Sequence, residues 1–186
     1  MAAGGHWGAK LSYRLRVLRV LEVPQGGRAV ERGDDEIRAP RQGELFWLDV
    51  QEPTREVLER LREPFGLHPL AIDDCLTHDQ RPKLEEYPGH VFVVIHELSL
   101  EGDEISGREI HAFLGANFLI TVRDHPCRRV DDVVTRVLGA NDLYERGVAF
   151  IYLILVMRKP AAFRARIVDS RPGPGPLTIT SRFLIP

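Results

Sequence analysis

Ile110-His111-Ala112-Phe113-Leu114-Gly115-Ala116-Asn117-Phe118-Leu119-Ile120-Thr121-Val122 holds two apolar runs joined by a short step of small and polar residues. A connection the length of Gly115-Ala116-Asn117 suits an antiparallel hairpin. Phe118 to Val122 is almost wholly apolar, and so is Val91 to Ile95 earlier in the chain. A strand with one wet face alternates apolar and polar residues; a strand without that alternation is covered on both faces. A sheet of such strands needs a layer on each side, and helical segments lie before and after this stretch to supply them. The fold class is therefore α/β: an αβα sandwich, a mixed sheet with helices on both faces.

Working outward, Leu11, Tyr13, Leu15 and Val17 alternate with Ser12, Arg14 and Arg16, a period of two that predicts a strand with one wet face. Gly26-Gly27 and Gly33-Asp34-Asp35 mark turns around a short edge strand near Arg28 to Arg32, and Leu45 to Val50 is a compact strand. The period then becomes helical. Thr54 suits an N-cap, Glu56 favours the first turn, Val57, Leu58, Leu61 and Phe65 share one face, and Pro64 is expected to stop the helix. A second helix is predicted from Pro69 to about Thr77, and a short strand from Lys83 to Tyr87. A third helix begins at Pro126, buries Val130, Val133, Val134, Val137 and Leu138, and ends at Gly139. A fourth runs from Leu143, capped by Asp142, to about Met157. Three regions result: a loose 1–10, a globular 11–156, and a proline- and glycine-containing tail, 157–186, expected to be poorly ordered.

At 186 residues the chain is long enough for one well-buried domain. Twenty-five basic residues against 27 acidic ones give a net charge of −2, and no basic patch argues for nucleic acid. The N-terminus lacks a basic stretch followed by an apolar run, so no signal peptide is expected. The most apolar segment, Val148 to Met157, is ten residues long, whereas a spanning helix needs about 20. It reads as a buried helix, and no membrane span is expected in this chain. Cys75 and Cys127 form no CxxC pair and are expected to stay reduced, which fits a cytoplasmic address.

Among candidate functional residues the acidic pair Asp73-Asp74 comes first. At about 100° per residue, Ala71, Ile72, Cys75 and Leu76 form the packed face of the second helix. Asp73 then points away from that face and Asp74 lies on its flank, with His78 one turn beyond. A flank carboxylate can share a hard cation such as Mg²⁺ with a neighbouring helix or subunit. Two simply solvated aspartates fit the same spacing. His68, His78, His90, His96, His111 and His125 show no zinc-ligand spacing, so no dedicated zinc site is expected, and His68 reads as a helix-entry residue. Cys75 falls on the packed face; Cys127, in the first turn of a helix, has no identifiable base. Arg81 and Lys83 are expected to pair with nearby carboxylates and shape the Gln80-Arg81-Pro82-Lys83 loop. No P-loop, GxGxxG or GxSxG is present, and the chain is read as a non-enzyme.

Together these segments resemble the cytoplasmic N-terminal domain of CorA-type magnesium/cobalt transporters. Trp47-Leu48-Asp49 with Glu52-Pro53-Thr54, Phe65 to Leu76, Gln80-Arg81-Pro82-Lys83-Leu84-Glu85, and Phe113 to Val122 carry the likeness, in order, over residues 11–156. The resemblance implies the cytoplasmic regulatory domain of a divalent-metal transmembrane transporter. The parent would be a homopentamer in the inner or plasma membrane, with a stalk helix and two transmembrane helices. Mg²⁺ held between subunits would close its pore, with Asp74 as the regulatory carboxylate, Asp73 adjacent, and a stalk carboxylate of the next subunit facing them. Co²⁺ and Ni²⁺ are further candidate substrates, and the superfamily has a zinc-transporting branch. Near residue 156 the chain departs from the family pattern, which reads as a reading-frame change or a disrupted coding sequence. Alone, the chain is expected to bind Mg²⁺ weakly and not to transport. A free-standing soluble metal-responsive regulator is the alternative.

Overall fold

The computed structural model describes residues 18–33, 37–77, 79–101, 104–140 and 143–157. Seven strands form one mixed sheet: β1 (Leu18–Pro24), β2 (Val30–Arg32), β3 (Glu44–Gln51), β4 (Lys83–Tyr87), β5 (His90–Glu101), β6 (Glu104–Gly115) and β7 (Phe118–Arg123). Their spatial order is β2-β1-β3-β7-β6-β5-β4. Only the β3–β7 pair at the centre is parallel, with Asp49 opposite Thr121 and Gln51 opposite Arg123. The described residues also hold four helices: α1 (Arg55–Phe65), α2 (Pro69–Cys75), α3 (Arg128–Gly139) and α4 (Leu143–Met157).

The αβα reading holds, because each central strand feeds two cores. Phe46, Leu48 and Val50 of β3 join Phe118, Ile120 and Val122 of β7 against Leu58, Leu61, Ala71 and Ile72 of α1 and α2. The alternate residues Leu45, Trp47 and Leu119 pack on the other side against Val130, Val133 and Val137 of α3 and Ile151 and Leu155 of α4. Burying each such side chain contributes about 1.5–3 kcal/mol. The hairpin expected at Gly115-Ala116-Asn117 is the β6–β7 turn. A Cβ at Gly115 would stand 2.1 Å from the Phe118 ring, so this approach admits only glycine.

Several boundaries differ from the sequence reading. Pro64 does not stop α1; it sits inside the last turn, and Gly66, at φ 63°, ends the helix by donating to Arg62 and Glu63 carbonyls. Proline forfeits one helical hydrogen bond there, while Phe65 gains an edge-on contact with Phe118 at 5.1 Å. α2 ends at Cys75, short of Thr77, and α3 starts at Arg128, two residues after Pro126. Gly147, at φ 71° and ψ 174°, breaks α4, where one helix from Leu143 to about Met157 is expected from sequence. Strand β1 was not recognised from sequence. The strand expected at 11–17, the loose 1–10, His78, the Asp142 cap and the tail from residue 158 lie outside the described residues. Among the described residues no helix is long and apolar enough to cross a membrane.

Candidate functional site

The chain enters α2 through His68, whose Nδ1 accepts from the Leu70 N–H at 3.3 Å, so it is the helix-entry residue its place before proline implied. The helix presents its two carboxylates in different directions. Asp73 is half exposed, and its Oδ1 accepts from Arg55 Nη2 at 2.8 Å. Asp74 lies on the flank, about a quarter exposed, and its Oδ2 accepts from Lys83 Nζ at 2.6 Å. Its Oδ1 makes no hydrogen bond among the described residues. The pair expected to act together therefore engages two separate cations.

Lys83 extends the Asp74 contact into a network. It also donates to Glu85 Oε1 at 3.1 Å, and Tyr87 Oη donates to Glu85 Oε2 at 2.8 Å. The hydrogen bond to Asp74 raises the Lys83 ammonium above its ordinary value. The Tyr87 hydroxyl, followed by Lys83, holds the Glu85 carboxyl below its own. Behind them, His68 stacks on Tyr87 at 4.3 Å and Tyr87 on His90 at 5.4 Å. His90 is buried, no side-chain hydrogen bond reaches either ring nitrogen, and burial keeps it below the usual histidine range.

The Gln80 to Lys83 loop has the shape expected from charge pairing, with one addition. Lys83 pairs as anticipated, whereas Arg81 makes no ion pair among the described residues. The loop backbone is pinned instead by two strand side chains: Glu109 Oε1, partly buried, accepts from the Gln80 N–H at 2.8 Å, and the exposed His96 Nε2 meets the Gln80 carbonyl at 3.0 Å. Glu109 Oε2 also contacts His111 Nε2 at 3.0 Å. Burial holds His111 below its ordinary value, with Glu109 opposing that shift. A crevice of about 10 Å³, lined by Cys75, Glu109, His111, Val122, Arg123 and Asp124, lies beside this pair and has room for about one water molecule. Cys75 is buried as the helix face predicted, and burial pushes its thiol well up, so it acts as a small apolar group.

At the end of β7 a second polar assembly occupies the α3 side. Arg123 donates to Asp49 through Nε at 3.2 Å and Nη2 at 2.8 Å, and Thr121 Oγ1 donates to Asp49 Oδ1 at 2.8 Å. Trp47 Nε1 donates to Thr121 Oγ1 at 3.1 Å. The remaining Arg123 Nη1 donates to the His125 carbonyl and so fixes the turn after the strand. That turn brings His125 and Cys127 to Glu97 of β5, with their donor atoms all within 4.8 Å of one another. Sequence reasoning treated these three residues separately. Their grouping follows from strand order and from the Arg123 hydrogen bond, neither of which leaves a local spacing to read.

The comparisons with known proteins agree with this fold. A family model described as "CorA-like Mg2+ transporter protein" matches residues 42–158, well over half of the chain. YfjQ of Bacillus subtilis, which carries the name of a metal ion transporter, is 36% identical over 111 residues, 59% of this chain and 34% of that protein. The cobalt/magnesium transport protein CorA of Thermotoga maritima is 28% identical over 105 residues, 55% of this chain and 28% of that protein. The chain thus spans about a third of the length of these relatives. Among solved structures, the soluble domain of CorA from Methanocaldococcus jannaschii superposes with a TM-score of 0.61 at 18% identity, covering 81% of this chain and 60% of that one, a likeness of fold. The chain belongs to the CorA-like Mg²⁺ transporter family.

Proposed function

We propose that this chain is the cytoplasmic metal-sensing domain of a divalent-cation transporter, with Asp74 as its principal Mg²⁺ ligand and Asp73 beside it. The observation that carries the reading is the Asp74 carboxylate: it is held on the partly exposed flank of α2, with one oxygen on Lys83 and the other without a hydrogen bond among the described residues. Mg²⁺ takes oxygen ligands and keeps several of its waters, so one or two carboxylates suffice to hold it. The donor chemistry therefore fits. Lys83 neutralises Asp74 in the metal-free state, and Mg²⁺ competes with that ammonium for the same carboxylate. A second carboxylate from a neighbouring subunit completes the site in a homopentameric parent, which makes closure depend on both metal and assembly. Mg²⁺ is at once ligand and cargo in this scheme, and the family is one of transporters rather than enzymes. Transport itself is assigned to the parent and not to this chain.

Calorimetric titration of the chain with Mg²⁺, wild type against Asp74→Ala, tests the assignment. Weak binding is expected for the isolated chain, lost in the variant. Equal affinity in both removes Asp74 from the site.

A further inference from the structure

On the opposite face of the sheet from α2, Glu97 of β5 meets His125 and Cys127 of the β7–α3 turn. His125 Nε2 stands 3.3 Å from Glu97 Oε2, and all three donor atoms fall within 4.8 Å of one another. A tetrahedral ion with bonds of about 2.0–2.3 Å spaces its ligand atoms about 3.3–3.8 Å apart, so small side-chain rotations would close this group around one centre. His125 and Cys127 are buried, whereas Glu97 and Asp124 reach the surface and give an entry path.

The surroundings match what a metal centre requires beyond its ligands. His125 Nδ1 lies 2.9 Å from Asp124 Oδ1, the carboxylate–histidine pairing that fixes the ring and its tautomer and leaves Nε2 facing the other donors. Arg123 pins the His125 backbone carbonyl from below. Arg129 approaches the outer oxygen of Glu97, Oε1, at 3.7 Å, leaving Oε2 turned inward. Cys127 is the N-cap of α3, a position that favours Ser, Thr, Asp or Asn, and its side chain makes no cap hydrogen bond. The Val130 N–H still faces this sulfur, and the thiol is also turned to Glu97.

We propose that Glu97, His125 and Cys127 form a second metal site, for a borderline ion of the Zn²⁺ or Co²⁺ type, with a fourth position left to water. One sulfur, one imidazole nitrogen and one carboxylate oxygen suit such ions and do not suit Mg²⁺, which prefers oxygen throughout. Burial pushes the Cys127 thiol up to about 12, with Glu97 adding to the effect. That opposes a free thiolate but not a bound one, since a coordinating ion strips the proton from its thiol. The site shares no residue with Asp73 and Asp74, so it stands or falls separately from the Mg²⁺ reading.

Cobalt is the probe of choice, because a thiolate ligand gives Co²⁺ a charge-transfer band that oxygen ligands do not. Wild type titrated with Co²⁺ is expected to develop this band, and added Zn²⁺ to abolish it. Cys127→Ser is expected to lose the band, and Cys75→Ser to keep it. Asp124→Asn, on an exposed side chain, should stay folded and bind Zn²⁺ about 10–100-fold more weakly. The proposal is overturned if wild type shows no band, if the band persists in Cys127→Ser, or if Asp124→Asn, confirmed as folded by its circular dichroism, binds Zn²⁺ as wild type does.

Discussion

Replacing Asp49 by alanine tests the polar assembly that joins the two central strands. Asp49 and Arg123 are 3% and 2% exposed, and their two hydrogen bonds cross the only parallel pairing in the sheet. Alanine removes the carboxylate and leaves the guanidinium, 2% exposed, with the His125 carbonyl as its remaining hydrogen-bond partner among the described residues. Breaking a buried pair from one side costs about 3–5 kcal/mol, because an uncompensated charge is left behind. With a urea slope of about 2 kcal/mol per M for a domain of this size, the unfolding midpoint should fall by about 1.5–2.5 M. Replacing both partners with apolar residues of similar bulk, Asp49→Leu with Arg123→Met, removes the stranded charge as well as the attraction. That double variant is expected to be more stable than Asp49→Ala alone, a non-additivity that simple loss of contacts does not produce. Urea unfolding followed by tryptophan fluorescence reads both effects, Trp47 lying within the network. A midpoint shift under about 0.5 M for Asp49→Ala would refute the reasoning, since the pair would then be hydrated in solution rather than buried.

Gly115→Ala places a methyl group against the ring of Phe118, which is itself packed on Phe65 and cannot swing away. Overpacking of this kind costs about 1–3 kcal/mol, and the melting temperature should drop by several degrees; an unchanged value means that the hairpin relaxes freely. Lys83→Met frees the Asp74 carboxylate of its ammonium and is expected to tighten Mg²⁺ binding by up to about fivefold, the scale of a partly exposed ion pair; weaker binding in this variant by calorimetry argues against competition. His111 predicts a pH effect of definite sign. Its folded value lies below 6.5 because it is buried, so the unfolded chain takes up the proton first and stability falls as pH drops below about 6.5. His90 acts in the same direction, while His125, raised by its bond to Glu97, stabilises below about 6.5 and loses that contribution as pH rises through its folded value. His111→Gln should therefore lose less stability than wild type between neutral and mildly acid pH; parallel urea midpoints in the two proteins exclude the assignment.

The sequence disclosed most of the fold because apolar runs and helix caps are local signals. Phe118 to Val122 lacks alternation, and both of its faces are covered. Thr54 and His68 act at helix entries where their neighbours placed them, and the flank position of Asp74 followed from helical geometry. What sequence did not disclose depends on distant partners. Pro64 looked like a terminator, yet the tertiary contact of Phe65 carries α1 one residue past it. The Asp74–Lys83 pair was within reach of sequence reasoning, nine residues apart around one loop. The grip of Glu109 on Gln80 was not, since it spans 29 positions and requires knowing that β6 runs beside the loop. His125 and Glu97 lie 28 positions apart and meet only because of the β7-β6-β5 strand order and the turn that Arg123 holds.

The two candidate sites differ in a way that makes them separable in one protein. Asp73 and Asp74 belong to the α1/α2 face and offer oxygen alone; Glu97, His125 and Cys127 belong to the α3/α4 face and offer oxygen, nitrogen and sulfur. Hard and borderline ions divide between such donor sets by chemistry rather than by overall affinity. Thermodynamic linkage requires any effect of one ion on the other's affinity to be reciprocal. The sites share no ligand and each has its own counter-cation, Lys83 for Asp74 and Arg129 for Glu97, so that effect should be small. Zn²⁺ affinity measured with saturating Mg²⁺ should match that measured without it within about twofold, and Asp74→Ala should leave it unchanged. Strong mutual exclusion would mean that both ions compete for one place, and the division into two independent sites would then be wrong.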